Sequence, residues 1–152
     1  MSIQADAQVV TAEDSRRLFT PGQVFWGTVL GTPLAGCLML AMNASVWRQR
    51  WAGVLLVVAG FVATVVIGIS AFFLPVWARS YAIPALYSLS LYLGARTWQG
   101  ARVAEALANG GRRRSHVVVF LLGLACLFAL LLLIVVTAVV LEIVAPGLLP
   151  DA

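Results

Sequence analysis

The chain has no lysine; all ten of its basic residues are arginine. A P-loop, whose lysine contacts phosphates, and a Schiff-base lysine are thereby excluded. Histidine is almost absent too, since His116 stands alone. One histidine rules out bis-histidine haem ligation within the chain and any multi-histidine metal site. Charge of either sign is scarce. Charged residues make up 11% of the 152 positions, against roughly 25% in soluble domains. A water-soluble fold of this size needs more polar groups than that to cover its surface. Cysteine is limited to Cys37 and Cys126, both inside apolar runs, where small buried side chains are expected rather than a disulfide.

What is abundant is hydrocarbon. Hydrophobic residues are 62% of the chain and the mean hydropathy is +0.99, which predicts an integral membrane protein. The net charge of +4 is too small, and its surroundings too apolar, to argue for nucleic acid. Arginines near a bilayer are expected to meet anionic lipid headgroups. The opening "MSIQADAQVVTAEDSRR" carries acids and no apolar core, so it is not expected to be a secretory signal.

Four apolar segments follow, at about 21–46, 51–74, 76–97 and 117–145. The expected fold is all-α: an extramembrane tail over 1–19, then one domain over 20–152 with four transmembrane helices. The third segment is the weakest, because its uncharged part runs only from Tyr81 to Ala95. It spans only if Arg79 and Arg96 snorkel to opposite interfaces. Before the last segment, "GARVAEALAN" predicts a short cytoplasmic amphipathic helix, stopped by Gly110 and Gly111. Thr20-Pro21-Gly22-Gln23 reads as an N-cap, a proline at N1 and a capping-box glutamine. Ser115 is placed to cap the last helix. Trp47, Trp51, Trp77, Tyr81 and Trp98 mark the headgroup level.

Arginine counting sets the expected orientation. With four spans, Arg16, Arg17 and Arg79 share one side, and the other seven arginines share the opposite side. The positive-inside rule then puts loops 1 and 3 in the cytoplasm and both termini outside. Failure of the third segment to span would turn the N-terminus inward. The two halves share no pattern beyond hydrophobicity, so an inverted-repeat transporter has no positive support.

Gly27, Gly31 and Ala35 recur every four residues, as do Gly60, Thr64 and Gly68. Such stripes of small residues let helix backbones approach closely in lipid. Pro33 leaves the carbonyl of Val29 without its helical partner, with Thr28 and Thr32 beside it. Two readings fit: a packed kink, or a broken helix lining a small polar cavity. Gln23 and Asn43, about 30 Å apart on a single helix, are expected at opposite interfaces. Glu142 follows the long aliphatic run and reads as an interfacial carboxylate or a functional intramembrane one. Arg112, Arg113 and Arg114 read as a topology anchor touching lipid headgroups, or as a docking patch. His116 and Glu105 read as interfacial and exposed residues.

"TPGQ", "GTPLAG", Asn43 and "GGRRRS" together resemble a pattern in small polytopic bacterial inner-membrane proteins of unassigned function. The resemblance implies a several-helix protein of the bacterial inner membrane and brings no catalytic residue. No Ser-His-Asp set or paired carboxylates can be assembled at one membrane depth, so no enzyme, metal or cofactor is expected. The expected function is an accessory subunit that packs against another membrane protein or a second copy of itself. The alternative is a small oligomeric transporter or channel with a polar path near Pro33, Thr32, Gln23 and Asn43.

Overall fold

A computed structural model describes residues 17–70 and 73–144. The tail acids and the end of the fourth expected segment, at Ala145, lie outside the described residues. The described chain is helical apart from short connections and one two-residue bridge. In order it comprises β1 (Arg17–Leu18), α1 (Pro21–Gly31), α2 (Pro33–Val46), α3 (Arg50–Ser70), α4 (Ile83–Gly94), α5 (Gly100–Ala108), β2 (Arg112–Arg113) and α6 (His116–Val144). π-Helical turns at Ala78–Ala82 and Ala95–Gln99 join α4 to its neighbours. Residues 76–108 thus form one continuous helical run, about 50 Å long at the usual rise.

The expected first span, 21–46, is not one helix. It breaks at Thr32, which takes φ 94° and ψ 165°, and Pro33 opens α2. The physical cause is local: a residue before proline is pushed out of the α region, and proline supplies no amide to continue α1. A positive φ on a β-branched residue is an outlier. The chain reverses there, and α2 returns along α1. Gly27 abuts the Met39 side chain, and Gly36 abuts Thr28. Across the open end, the amide of Phe19 donates to Asn43 Oδ1 at 2.9 Å. The Pro33 feature is therefore a hairpin reversal, not a kink in a continuous helix. With 11 and 14 residues, its arms measure about 16 and 21 Å.

This helical hairpin is the centre of the fold. All extensive packing between separate helices in the described residues involves α1 or α2. On one side α3 runs antiparallel to α2, with Gly53 against Ala41 and Gly60 against Cys37 and Leu34. α6 runs parallel to α1, with Val119 against Gly27 and Gly123 against Gly31. α4 closes a third side: Leu91 packs on Gly36, and Phe25 meets Tyr92 edge-on at 6.2 Å. The buried apolar cluster, Phe19, Val24, Met39, Leu40, Ala95 and Val119, gathers around the hairpin.

Two helices, Arg50–Ser70 and His116–Val140, are long and apolar enough to cross a membrane. Both are mostly exposed. In α3 only Gly53, Gly60 and Thr64 are buried. In α6 the last buried residue among those described is Cys126.

Candidate functional site

Because the hairpin reverses, residues far apart in sequence converge at its open end. β1 and β2 pair in parallel, Arg17 with Arg112 and Leu18 with Arg113. The amide of Arg114 then donates to Leu18 O at 3.0 Å. The tail end and the arginine loop therefore share one end of the molecule. The expectation that they face opposite sides is corrected, because the segment between them turns back.

Asn43 is the keystone of this end. Its Oδ1 accepts from the Phe19 amide, and its Nδ2 donates to Phe19 O at 2.8 Å and to Gln99 Oε1 at 3.1 Å. Gln99 Nε2 in turn donates to Leu40 O at 3.1 Å. Gln23 completes the clasp from α1. Its Oε1 accepts from the Thr20 amide, closing the expected capping box, and its Nε2 donates to Arg114 O at 2.6 Å. Gln23, Asn43 and Gln99 are each at most 3% exposed. Every amide end in this set has a partner, as buried polar groups require. Gln23 and Asn43 thus belong to one network at one end, not to opposite interfaces.

The clasp binds five parts of the chain: the segment before α1, α1 itself, α2, the π turn after α4, and the loop before α6. Gln99 was not singled out by sequence, although an uncharged amide beside an apolar run was the available signal. The clasp's amides are engaged in holding backbone and, between Asn43 and Gln99, each other.

The arginine cluster is built into the same region. Arg112 and Arg113 lie in β2, and the Arg114 guanidinium sits 5.4 Å over the Phe19 ring. Arg102, on α5, lies 6.0 Å over the Trp47 ring. Of the nine described arginines, all but Arg79 occur at this end or in the turn next to it. The cluster is therefore more than a surface patch, because its backbone anchors the tail.

The small-residue stripes are sorted by contact. Gly27 and Gly31 meet α6 at Val119 and Gly123, so Gly123 is the partner that the sequence pattern missed. Ala35 is buried but belongs to α2, beyond the reversal; Gly27, Gly31 and Ala35 do not form one stripe on one helix. Gly60 meets Cys37 and Leu34, and Thr64 Oγ1 donates to Gly60 O at 2.8 Å. A side-chain carbon at Gly68 would meet no atom of the described residues within 4 Å, so Gly68 is not part of a seam among them. The reason is that α2 ends its course against α3 before reaching that level.

At the closed end of the hairpin, Thr32 Oγ1 and Ser88 Oγ are buried without hydrogen-bond partners among the described residues. Ser88 lies one turn before Leu91, which packs on Gly36, and so stands level with the reversal. Glu142 is exposed near the far end of α6. Among the described residues, no group of three or more His, Cys, Asp or Glu side chains is placed to hold a metal ion. Comparison with family models, curated proteins and solved structures finds no match.

Proposed function

We propose that the chain is a non-catalytic, multi-pass protein of the bacterial inner membrane that serves as an accessory subunit of a membrane complex. Three helical runs, α3, residues 76–108 and α6, cross the bilayer, and the α1–α2 hairpin enters it from one side and returns. A reversal at membrane depth is tolerated when it is covered by protein, and here α3, α4 and α6 cover it. The end rich in arginine faces the cytoplasm. On this reading the N-terminal segment is cytoplasmic and the end of α6 is outside. Both termini outside would require the first segment to cross, and a hairpin does not.

One observation carries the accessory role. Past Cys126, no described residue of α6 is buried, and the extensive packing of the three crossing runs among the described residues is on the hairpin rather than on each other. Their outer halves are left for neighbouring membrane helices, as in assemblies built on close packing in lipid. The test is a native pull-down of the tagged chain from solubilised membranes. Stoichiometric recovery of a different membrane protein is expected. Recovery of the folded chain from a surfactant-free cytosolic fraction would overturn the membrane reading altogether.

A small transporter or channel is the second reading, favoured by the unpartnered hydroxyls of Thr32 and Ser88 at the broken helix. Broken helices in membranes can line polar cavities. It requires a homo-oligomer and labelling of Ser88→Cys by a membrane-impermeant thiol reagent. Absence of both retires it.

A further inference from the structure

α2 and α3 touch at Gly53 and at Gly60, where a side-chain carbon would lie 3.4 Å from Ala41 O and 2.6 Å from Cys37 Cβ. Along the face beside these contacts a groove of about 440 Å³ opens, lined by Leu38, Met42, Val54 and Val57. That volume lies within the roughly 300–1,000 Å³ of small-molecule sites. Ser45 and Arg50 line its other end, at the turn joining the two helices. The groove is thus apolar along its length and cationic at one mouth.

Its depth selects the occupant. Leu38 to Ser45 covers about 11 Å of helix, and α2 itself stops at the reversal. A groove walled by α2 therefore extends through about one leaflet of a ~30 Å hydrocarbon core. A transmembrane helix would run past it, whereas one lipid chain beneath one headgroup matches its length. Charge points the same way. Arg50 and its neighbour Arg48 are exposed, and neither guanidinium group makes a hydrogen bond or ion pair with another described residue. Trp51, next to Arg50 in the chain, is 83% exposed, as indoles at headgroup level are.

We infer that the α2–α3 groove is a binding site for one anionic glycerophospholipid of the cytoplasmic leaflet, its acyl chain along Leu38, Met42, Val54 and Val57 and its phosphate at Arg50. The site rests on the membrane reading above, and the experiment separates the two. The full chain and its variants are first extracted from membranes with alkaline carbonate. A chain released into the supernatant defeats the membrane reading, and the lipid site with it. The membrane-retained chain is then purified in mild detergent, delipidated, and titrated with phosphatidylglycerol or phosphatidylcholine under native mass spectrometry.

One phosphatidylglycerol per chain is expected, held more tightly than phosphatidylcholine. Arg50→Gln should weaken phosphatidylglycerol retention about fivefold, the factor that one basic residue contributes at an anionic surface. Arg79→Gln, at the other end, should leave retention unchanged. Val54→Trp should block the groove and lower retention with Arg50 intact. Gel filtration establishes that each variant keeps its assembly. Equal retention of both lipids, or an Arg50→Gln effect no larger than that of Arg79→Gln, overturns the site. So does a copurifying polypeptide that crosslinks from position 54.

Discussion

Phe19 and Asn43 lie 24 residues apart, yet the backbone of Phe19 gives its amide to Asn43 Oδ1 and takes a hydrogen from Asn43 Nδ2. This pairing is possible only because the chain reverses between them at Thr32. It also recruits Gln99, so one asparagine holds the Phe19 backbone, the hairpin and the third helical run together.

Removing that side chain should loosen all three. Asn43→Leu strands the Phe19 amide and carbonyl and Gln99 Oε1 in a buried setting. Each stranded group costs roughly 1–3 kcal/mol. A clear fall in the thermal midpoint of the detergent-solubilised protein is expected. Asn43→Asp should also destabilise, because an oxygen would then face Phe19 O and Gln99 Oε1. An unaltered midpoint in both variants would show that the clasp contributes nothing to stability.

Thr32→Gly has the opposite expected sign. Glycine adopts φ 94° freely, whereas a residue held in a sparsely populated backbone region costs about 1–3 kcal/mol. The substitution also removes the unpartnered Oγ1. Against these gains stands the added freedom of glycine in the unfolded chain, about 0.4–1 kcal/mol. The net is a stabilisation of about 1 kcal/mol, read as a rise in midpoint, and a fall would contradict the strained turn.

Glycines in the two seams should respond unequally. At Gly31 the nearest neighbours of an added carbon are backbone atoms of Gly123, which cannot swing aside. Gly31→Ala should cost about 1–3 kcal/mol, the usual penalty of overpacking. Gly68 faces open space, so Gly68→Ala should be neutral or stabilise by up to about 1 kcal/mol through helix propensity. Equal responses in a thermal-shift comparison would contradict the α1–α6 seam.

Reporter fusions at the two ends give a topology test. An N-terminal fusion should report the cytoplasmic side and a C-terminal fusion the opposite side. A single cysteine introduced at Arg113 should label from the same side as the N-terminal fusion. Labelling from opposite sides would require the β1–β2 pairing, Arg17 with Arg112, to be broken in the membrane.

Composition and periodicity alone determined the helical class, the apolar helices α3 and α6, the capping box at Thr20 and Gln23, and the amphipathic stretch carrying Val103. These depend on interactions within a few residues, or on the solvent that a side chain prefers. The seam at Gly60 was also legible, since small residues at helical spacing advertise close approach. Only the tertiary structure decided that 21–46 folds back on itself. A threonine-proline step in an apolar run is compatible with a kink or a reversal, and the choice rests on distant partners. Asn43 can satisfy Phe19 only after reversal, and Gly31 can meet Gly123 only when α6 lies beside α1. The same dependence hid Gln99 and placed Arg17 to Phe19 at the arginine-rich end, because hydrogen bonds between remote segments leave no periodic trace in either segment.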